Sequence, residues 1–365
     1  MCICICICIC ICARTGEVFA WGCPDDGALG LGAREHAQLP RFVGSSVEFG
    51  ARAVQAAAGF HHACVVTEDG ALCTWGRGAS GQLGRRCDQA SERRPTRLVQ
   101  DVFAGAAVLQ VACGWNHTIV VSSEGLVFTC GSNEHGQLGH GDTEAACAFA
   151  RIHPASFGGA RIVVAAGGAT HSVVACSKGL VFTWGCGAAG RLGHGNETDR
   201  LAPAVLQSEL LGPAARISVG GGHNVAVSKH GSLVVWGWGS YGQLGVGDTS
   251  NRLQPTRIDT DKIFGAKVLT AACGYIHTLA VTQNGALWAW GYGEKGVLGL
   301  GMTKSRRLPM RVDPKHFGHS KIVDAGGGYA HSMALTETGT LFTWGRYSDH
   351  KFLPPVSRHC IRVRC

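Results

Sequence analysis

The sequence predicts an all-β chain folded as a seven-bladed β-propeller with an incomplete closing blade. Three recurring features predict it. A hairpin-turn glycine appears at Gly16, Gly70, Gly125, Gly179, Gly231, Gly285 and Gly339, at successive spacings of 54, 55, 54, 52, 54 and 54 residues. Five positions after six of these stands Trp-Gly, at Trp21, Trp75, Trp184, Trp236, Trp290 and Trp344; the third copy has Cys130. Eight residues before the turn stands His62, His117, His171, His223, His277 or His331, with Cys8 in the first copy. A fixed period this long marks a repeat architecture.

Each repeat reads as four strands. A small-residue run, such as residues 267–274 or 321–327, can make the first. Residues 330–345, AHSMALTETGTLFTWG, show the next two: an apolar run, a Thr-Glu-Thr-Gly turn and a second apolar run. Glycine supplies the positive φ such hairpins need. A Gly-x-Leu-Gly element follows, beginning at Gly27, Gly81, Gly136, Gly190, Gly242 and Gly296. Its glycines suit a tight bend and its leucine can plug the gap between units. Proline at Pro255 or Pro309 then opens the fourth strand, where its missing N–H is tolerated. No helical period of adequate length interrupts the pattern. Four antiparallel strands repeated about seven times give a radial propeller.

The G-x-x-H, W-G, G-Q-L-G-x-G and P-x-R-V/I elements resemble the repeats of the RCC1 family, the regulator-of-chromosome-condensation propellers. The resemblance runs from about residue 13 to residue 345. It is specific for the fold and says little of function, since one propeller hosts many roles.

The ends depart from the repeat. Residues 1–12 are Met followed by alternating Cys and Ile, a low-complexity run. We read it as a simple nucleotide repeat translated from a misplaced start, and residues 13–365 as one propeller of seven repeats. A signal peptide would need a basic n-region, and a membrane span about twice the apolar length. A soft-metal reading has only the alternation behind it. Seven repeats of this period exceed the 365 residues present. A ring would therefore close by joining residues 2–12 and 346–363 in one incomplete blade.

The formal net charge is +8, from 33 basic and 25 acidic residues, with no basic tail. Of 18 cysteines, several sit where sibling repeats carry small apolar residues. Cys64 aligns with Ile119, Val173 and Met333; Cys113 and Cys273 align with Ala58, Gly167 and Gly327. Cysteine used as a small core residue fits a reducing compartment, cytoplasm or nucleus.

Six histidines at one register suggest a metal ring. Repetition at the structural period argues instead for a bond to a neighbouring backbone, with His117 and His277 buried. The Trp-Gly indoles are likewise read as packing between blades. There is no G-x-S-x-G, no H-E-x-x-H and no Walker-type loop. Catalytic residues, metal ligands and cofactors are therefore expected to be none.

Non-repeating residues are the candidate partner-binding set, since the fold does not call for them. The loops after Gly-x-Leu-Gly carry Arg85, Arg86, Arg93 and Arg94 in the second repeat, and Lys304, Arg306 and Arg307 in the sixth. Arg200, Arg252 and Arg306 each fall three before a proline, so that register has a structural reading too. The rest form a candidate patch for acidic protein or nucleic acid, against a solvated rim. The bends after Trp-Gly carry Trp238, Tyr241 and Tyr292 where other copies have small residues; interface and extra core packing are the rival readings.

These residues point to a non-catalytic protein-interaction scaffold. The expected partner is a protein: a small GTPase or an acidic chromatin or signalling protein, with nucleic acid a weaker expectation and no membrane. The resemblance implies an alternative, guanine-nucleotide exchange on a Ran-like GTPase. Against it, the near-equal repeat spacings leave no room for the wedge hairpin of that type. A further alternative is the propeller part of a larger regulatory protein such as a ubiquitin ligase. The family's ultraviolet-B photoreceptor branch uses successive G-W-R-H-T motifs. Here only residues 114–118, GWNHT, keep the tryptophan, and Tyr275 and Tyr329 take two sibling positions.

Overall fold

Each turn glycine adopts the conformation its repeat requires, with φ between +77° and +85° at all seven positions. A computed structural model describes residues 8–12, 15–23, 25–32, 36–85, 91–98, 100–211, 214–348, 351–352 and 357–362. The chain divides into two compact units, Met1–Gly187 with Thr198–Val205, and Ala188–Glu197 with Leu206–Cys365.

The first unit begins with a three-stranded sheet of Cys8–Cys12, Val18–Gly22 and Ala37–Gly44. Three four-stranded blades follow. Blade one is Ala53–Ala58, His62–Thr67, Leu72–Arg77 and Ser91–Arg97; blade two is Val108–Cys113, His117–Ser122, Val127–Gly131 and Ala146–Arg151. Blade three is Ile162–Gly167, His171–Cys176, Val181–Gly185 and Arg200–Val205. The second unit holds blade four (Ala214–Val219, His223–Ser228, Leu233–Gly237, Arg252–Ile258) and blade five (Val268–Cys273, His277–Thr282, Leu287–Gly291, Arg306–Arg311). In blade six, Ile322–Gly327, His331–Thr336 and Thr340–Ser348 are joined by Lys351–Phe352 and Ser357–Arg362.

The chain is thus all-β and built of propeller blades, but the expectation of seven blades is corrected to six. Among the described residues six sheets have four strands or more, and the first hairpin makes a three-stranded sheet. The reason lies at both ends. Residues 8–12 serve as the first strand of that hairpin, pairing Cys8 with Gly22 through Cys12 with Val18. No inner strand is described ahead of them. At the other end, Ser357–Arg362 pairs with the hairpin strand of blade six, Phe342 opposite Arg358. The described strands of the two ends therefore belong to different sheets. Residues 1–7 of the Cys-Ile run lie outside the described residues.

Burial follows the repeat. The second strand of most blades is buried along its whole length, as in His117–Ser122 and His277–Thr282. Both its faces meet neighbours, so it reads as a continuous apolar run rather than an alternating one. Adjacent blades share their cores. Ile119 and Val121 of blade two pack with Val174, Phe182 and Trp184 of blade three. Leu279 and Ala289 of blade five pack with Ala334, Phe342 and Trp344 of blade six. Between blades, one-turn helices end in a phenylalanine that plugs the seam: Phe157 stands 6.1 Å from Trp184, and Phe317 6.0 Å from Trp344.

Cys64, Cys73, Cys113, Cys130, Cys176, Cys186 and Cys273 are buried thiols, as small core residues should be. Cys147 differs, being disulfide-bonded. Among the described residues no helix is long and apolar enough to cross a membrane.

Candidate interaction surface

Within each unit, two repeated bonds fix neighbouring blades together. The histidine Nε2 of one blade meets a hydroxyl of the following blade: His62 with Thr118 at 2.9 Å, His117 with Ser172 at 3.0 Å, His223 with Thr278 at 3.0 Å and His277 with Ser332 at 2.8 Å. All four hydroxyls donate in turn to the carbonyl of the residue after the first glycine of Gly-x-Leu-Gly: Thr118 to Gln82, Ser172 to Gln137, Thr278 to Gln243 and Ser332 to Val297. A hydroxyl already donating can only accept from Nε2, so these histidines carry their proton there. The partner is thus a side chain and not the backbone expected from sequence, although the chain of bonds ends on a carbonyl. His62, His117, His223 and His277 are completely buried. The indoles end on the same carbonyls, Trp184 on Gln137 at 2.9 Å and Trp290 on Gln243 at 2.9 Å.

The bends above these bonds carry the non-repeating side chains. In the second unit they form a row. Tyr292 lies 5.3 Å from Tyr241, and Tyr241 5.3 Å from Trp238, both edge to face. Trp238 lies 6.4 Å from Tyr275, and Tyr275 stacks on Tyr329 at 4.7 Å with an interplanar angle of 24°. Edge-to-face and offset arrangements are those aromatic quadrupoles favour. Tyr241 is 40% exposed and Tyr329 36%, and the other three rings are half-buried. The Tyr292 hydroxyl donates to Glu294 at 2.5 Å, which holds the phenol proton and pushes its pKa up to about 12.

Basic residues border this row. The backbone of Lys304 lies against Gly293, next to Tyr292, and Arg307 lies against Gly242, next to Tyr241. Lys304 and Arg307 are exposed, whereas Arg306 is half-buried and donates to the Met302 thioether. In the first unit, Arg94 is exposed beside Gly32 and Arg93 packs on Gly27. Arg86 lies outside the described residues.

Arg85 is tied into blade one. Its Nη2 donates to both the carbonyl and the hydroxyl of Thr74 at 2.6 Å, and Nη1 lies 3.9 Å from Glu92. Blade two repeats this with His140 on Thr129 at 2.9 Å. In blades four and five the threonine becomes Val235 or Ala289, and the partner becomes apolar Val246 or Leu300. Polar thus pairs with polar and apolar with apolar. Arg85→Ala should therefore cost about 1–3 kcal/mol in chemical denaturation by orphaning these groups. Arg94→Ala should stay within about 0.5 kcal/mol.

Residues 2–275 match the RCC1-like domain, and residues 284–335, 268–297 and 322–350 match the RCC1 repeat. The chain belongs to the RCC1-like family. It is 33% identical over 330 residues to the ultraviolet-B receptor UVR8 of Arabidopsis thaliana, covering 90% of this chain and 72% of that protein. It is 33% identical to the human E3 ubiquitin-protein ligase HERC2, across 91% of this chain but 7% of HERC2. Among solved structures, human WBSCR16 superposes with a TM-score of 0.80 at 27% identity, covering 90% of this chain and 89% of that one. Prp20p of Saccharomyces cerevisiae superposes at 0.79 with 24% identity over 90% and 80%, a likeness of fold alone.

Among this chain's own repeats, the aromatic row is what departs from the common pattern. Reading the sequence singles out Trp238, Tyr241 and Tyr292 but misses Tyr275 and Tyr329 as members of the same surface. The signal is present: both tyrosines occupy one register, the residue after the glycine of G-x-x-H. That register also brings Phe60 within 4.9 Å of Trp115 in the first unit.

Proposed function

We propose that this RCC1-like protein is a non-catalytic protein-interaction scaffold, and that the aromatic row of its second unit takes the partner. The observation behind this is the row itself. Five linked rings stand partly exposed on bends held by repeated, buried bonds. Tyrosine and tryptophan on a rigid frame bring large contact area at little entropic cost, and such residues dominate interface energetics. Lys304 and Arg307 beside the row favour a partner that is acidic as well as apolar. The alternatives, nucleotide exchange on a Ran-like GTPase and service as the propeller of a ubiquitin ligase, rest on resemblance rather than on these side chains.

The test compares captured partners. Trp238→Ser and Tyr241→Ser install residues that sibling bends already carry at Ser132 and Ser80, so the fold should hold. The double variant should keep its melting temperature and lose proteins that the parent captures from lysate. The parent's capture should also weaken with salt, because exposed charges are screened beyond about 8 Å at physiological ionic strength. An unchanged set of captured proteins, with melting preserved, would sink the proposal.

A further inference from the structure

We propose that His135, Cys186 and Asp199 form a binding site for one divalent, borderline-soft cation of the zinc type. His135 sits on the bend of blade two, just before Gly-x-Leu-Gly. Cys186 follows Trp184-Gly185 in blade three, and Asp199 precedes that blade's outer strand. His135 Nδ1 lies 2.9 Å from Asp199 Oδ2. The donor atoms of all three side chains lie within 4.8 Å of one another. Four-coordinate zinc holds N, O and S ligands at about 2.0–2.3 Å, which sets donor separations of about 3.3–3.8 Å. Closing the three donors on an ion therefore asks for movements of about 1 Å or less.

The surroundings favour an ion over a simple surface pair. Asp199 Oδ1 accepts from the Gly187 N–H at 2.7 Å, which orients the carboxylate and leaves Oδ2 toward the other donors. Outer bonds of this kind fix ligand direction in metal sites. Cys186 is 6% exposed and forms the floor, while the His135 and Asp199 side chains are each 40% exposed. That opening admits an ion and leaves room for water as a fourth ligand. On coordination the Cys186 thiol gives its proton to solvent. The His135 ring carries its proton on Nε2 so that Nδ1 can ligate.

The fold requires none of these three donors. At the position of Asp199 blades four and five carry Asn251 and Ser305, which cap the same bend by accepting from Gly239 at 3.0 Å and Gly293 at 3.1 Å. At the position of His135 stand Ser80 and Tyr241, and at that of Cys186 stand Ser132 and Trp238. A histidine–aspartate ion pair accounts for two of the three; the buried thiol beside them is what a metal site adds. The expectation of no metal rests on the repeated histidines, which are buried, four of them committed to hydroxyls. His135 is not one of them.

The experiment uses the full chain, stripped by chelator, with Zn²⁺ titrated against a chromophoric competitor and Co²⁺ followed by its absorption spectrum. His135→Tyr, Cys186→Ser and Asp199→Asn each install a residue that a sibling bend tolerates, and their melting in chelator should match the parent. The cysteines of residues 1–12 offer thiols in every variant, so the readout is the difference between chains. The parent should bind one more equivalent of Zn²⁺ than the Cys186→Ser chain, and its Co²⁺ form should show a sulfur-to-metal charge-transfer band that the variant has lost. Loss of one orienting partner weakens metal sites by 10–100-fold, so His135→Tyr and Asp199→Asn, which remove direct ligands, should weaken binding by about 100-fold or more. Equal stoichiometry and affinity in the parent and the Cys186→Ser chain would overturn the proposal.

Discussion

Acidification from neutral pH to about pH 5 should unfold this protein. The cause is a set of five buried histidines, four of which bond one blade to the next. Burial lowers the pKa of His62, His223 and His277 to about 3, and of His117 and His331 to about 4. In the unfolded chain each returns to about 6.5. Above that value neither state holds the proton, and the neutral bonds count in full. As pH falls below it, the unfolded chain takes up protons that the folded chain refuses. Each histidine then costs about 1.4 kcal/mol per pH unit until its folded pKa is reached. At pH 5 that is about 2 kcal/mol for each, and on the order of 10 kcal/mol for the five, which rivals the whole stability of an ordinary domain. Asp324 works the other way, since burial raises its carboxyl pKa and it gains stability as pH falls; it is one group against five. Circular dichroism against pH should show a cooperative loss of structure near pH 5. Stability measured by urea should fall steeply between pH 6.5 and 5.5. A His277→Gln chain should show a shallower slope, by about one proton. A flat profile from pH 7 to 4 would mean that the folded state accepts these protons.

The hairpins are legible in the sequence because their turns impose a backbone conformation. A glycine that must hold φ near +80° at a constant spacing marks a tight turn and little else. The histidine and tryptophan registers are readable for the same reason: a residue that returns with the period belongs to what the period builds. The blade count is less accessible. Seven turns imply seven hairpins, but a blade also needs an inner strand, and a small-residue run such as residues 322–327 is weakly marked. At the N-terminus the alternating run provides a hairpin strand, Ile9 opposite Trp21, and no inner strand is described. The candidate sites are harder still. Tyr275 and Tyr329 are one repeat apart, and His135 and Asp199 are 64 residues apart. Only blade-to-blade packing brings such pairs together. A search of neighbouring registers across successive repeats, rather than of local motifs, would find both.

Replacing Cys130 and Phe149 together should cost far less than replacing either alone. Blade two lacks the repeated tryptophan, and Cys130 at that position is completely buried. A cavity the size of an indole would cost several kcal/mol, so something must fill it. In sibling seams the indole lies against the second glycine of Gly-x-Leu-Gly: Trp184 on Gly139, Trp236 on Gly193 and Trp290 on Gly245. At Gly84 the ring of Phe149 lies there instead. Phe149 itself stands where blades three, four and five carry Pro203, Pro255 and Pro309. The two departures from the repeat therefore compensate each other. Phe149→Pro alone empties the seam and should cost about 3–5 kcal/mol, the range for losing a buried phenylalanine. Cys130→Trp alone drives an indole into the space Phe149 holds and should cost about 1–3 kcal/mol from overpacking. In the double variant the indole takes the vacated space, and its N–H can reach the Gln82 carbonyl, which accepts only from Thr118 among the described bonds. The Gln137 carbonyl already accepts both such donors, from Ser172 and Trp184. Chemical denaturation of the four chains should give a double-mutant coupling of several kcal/mol that restores most of the parent's stability. Additive losses would show that Phe149 fills its seam independently of the missing tryptophan.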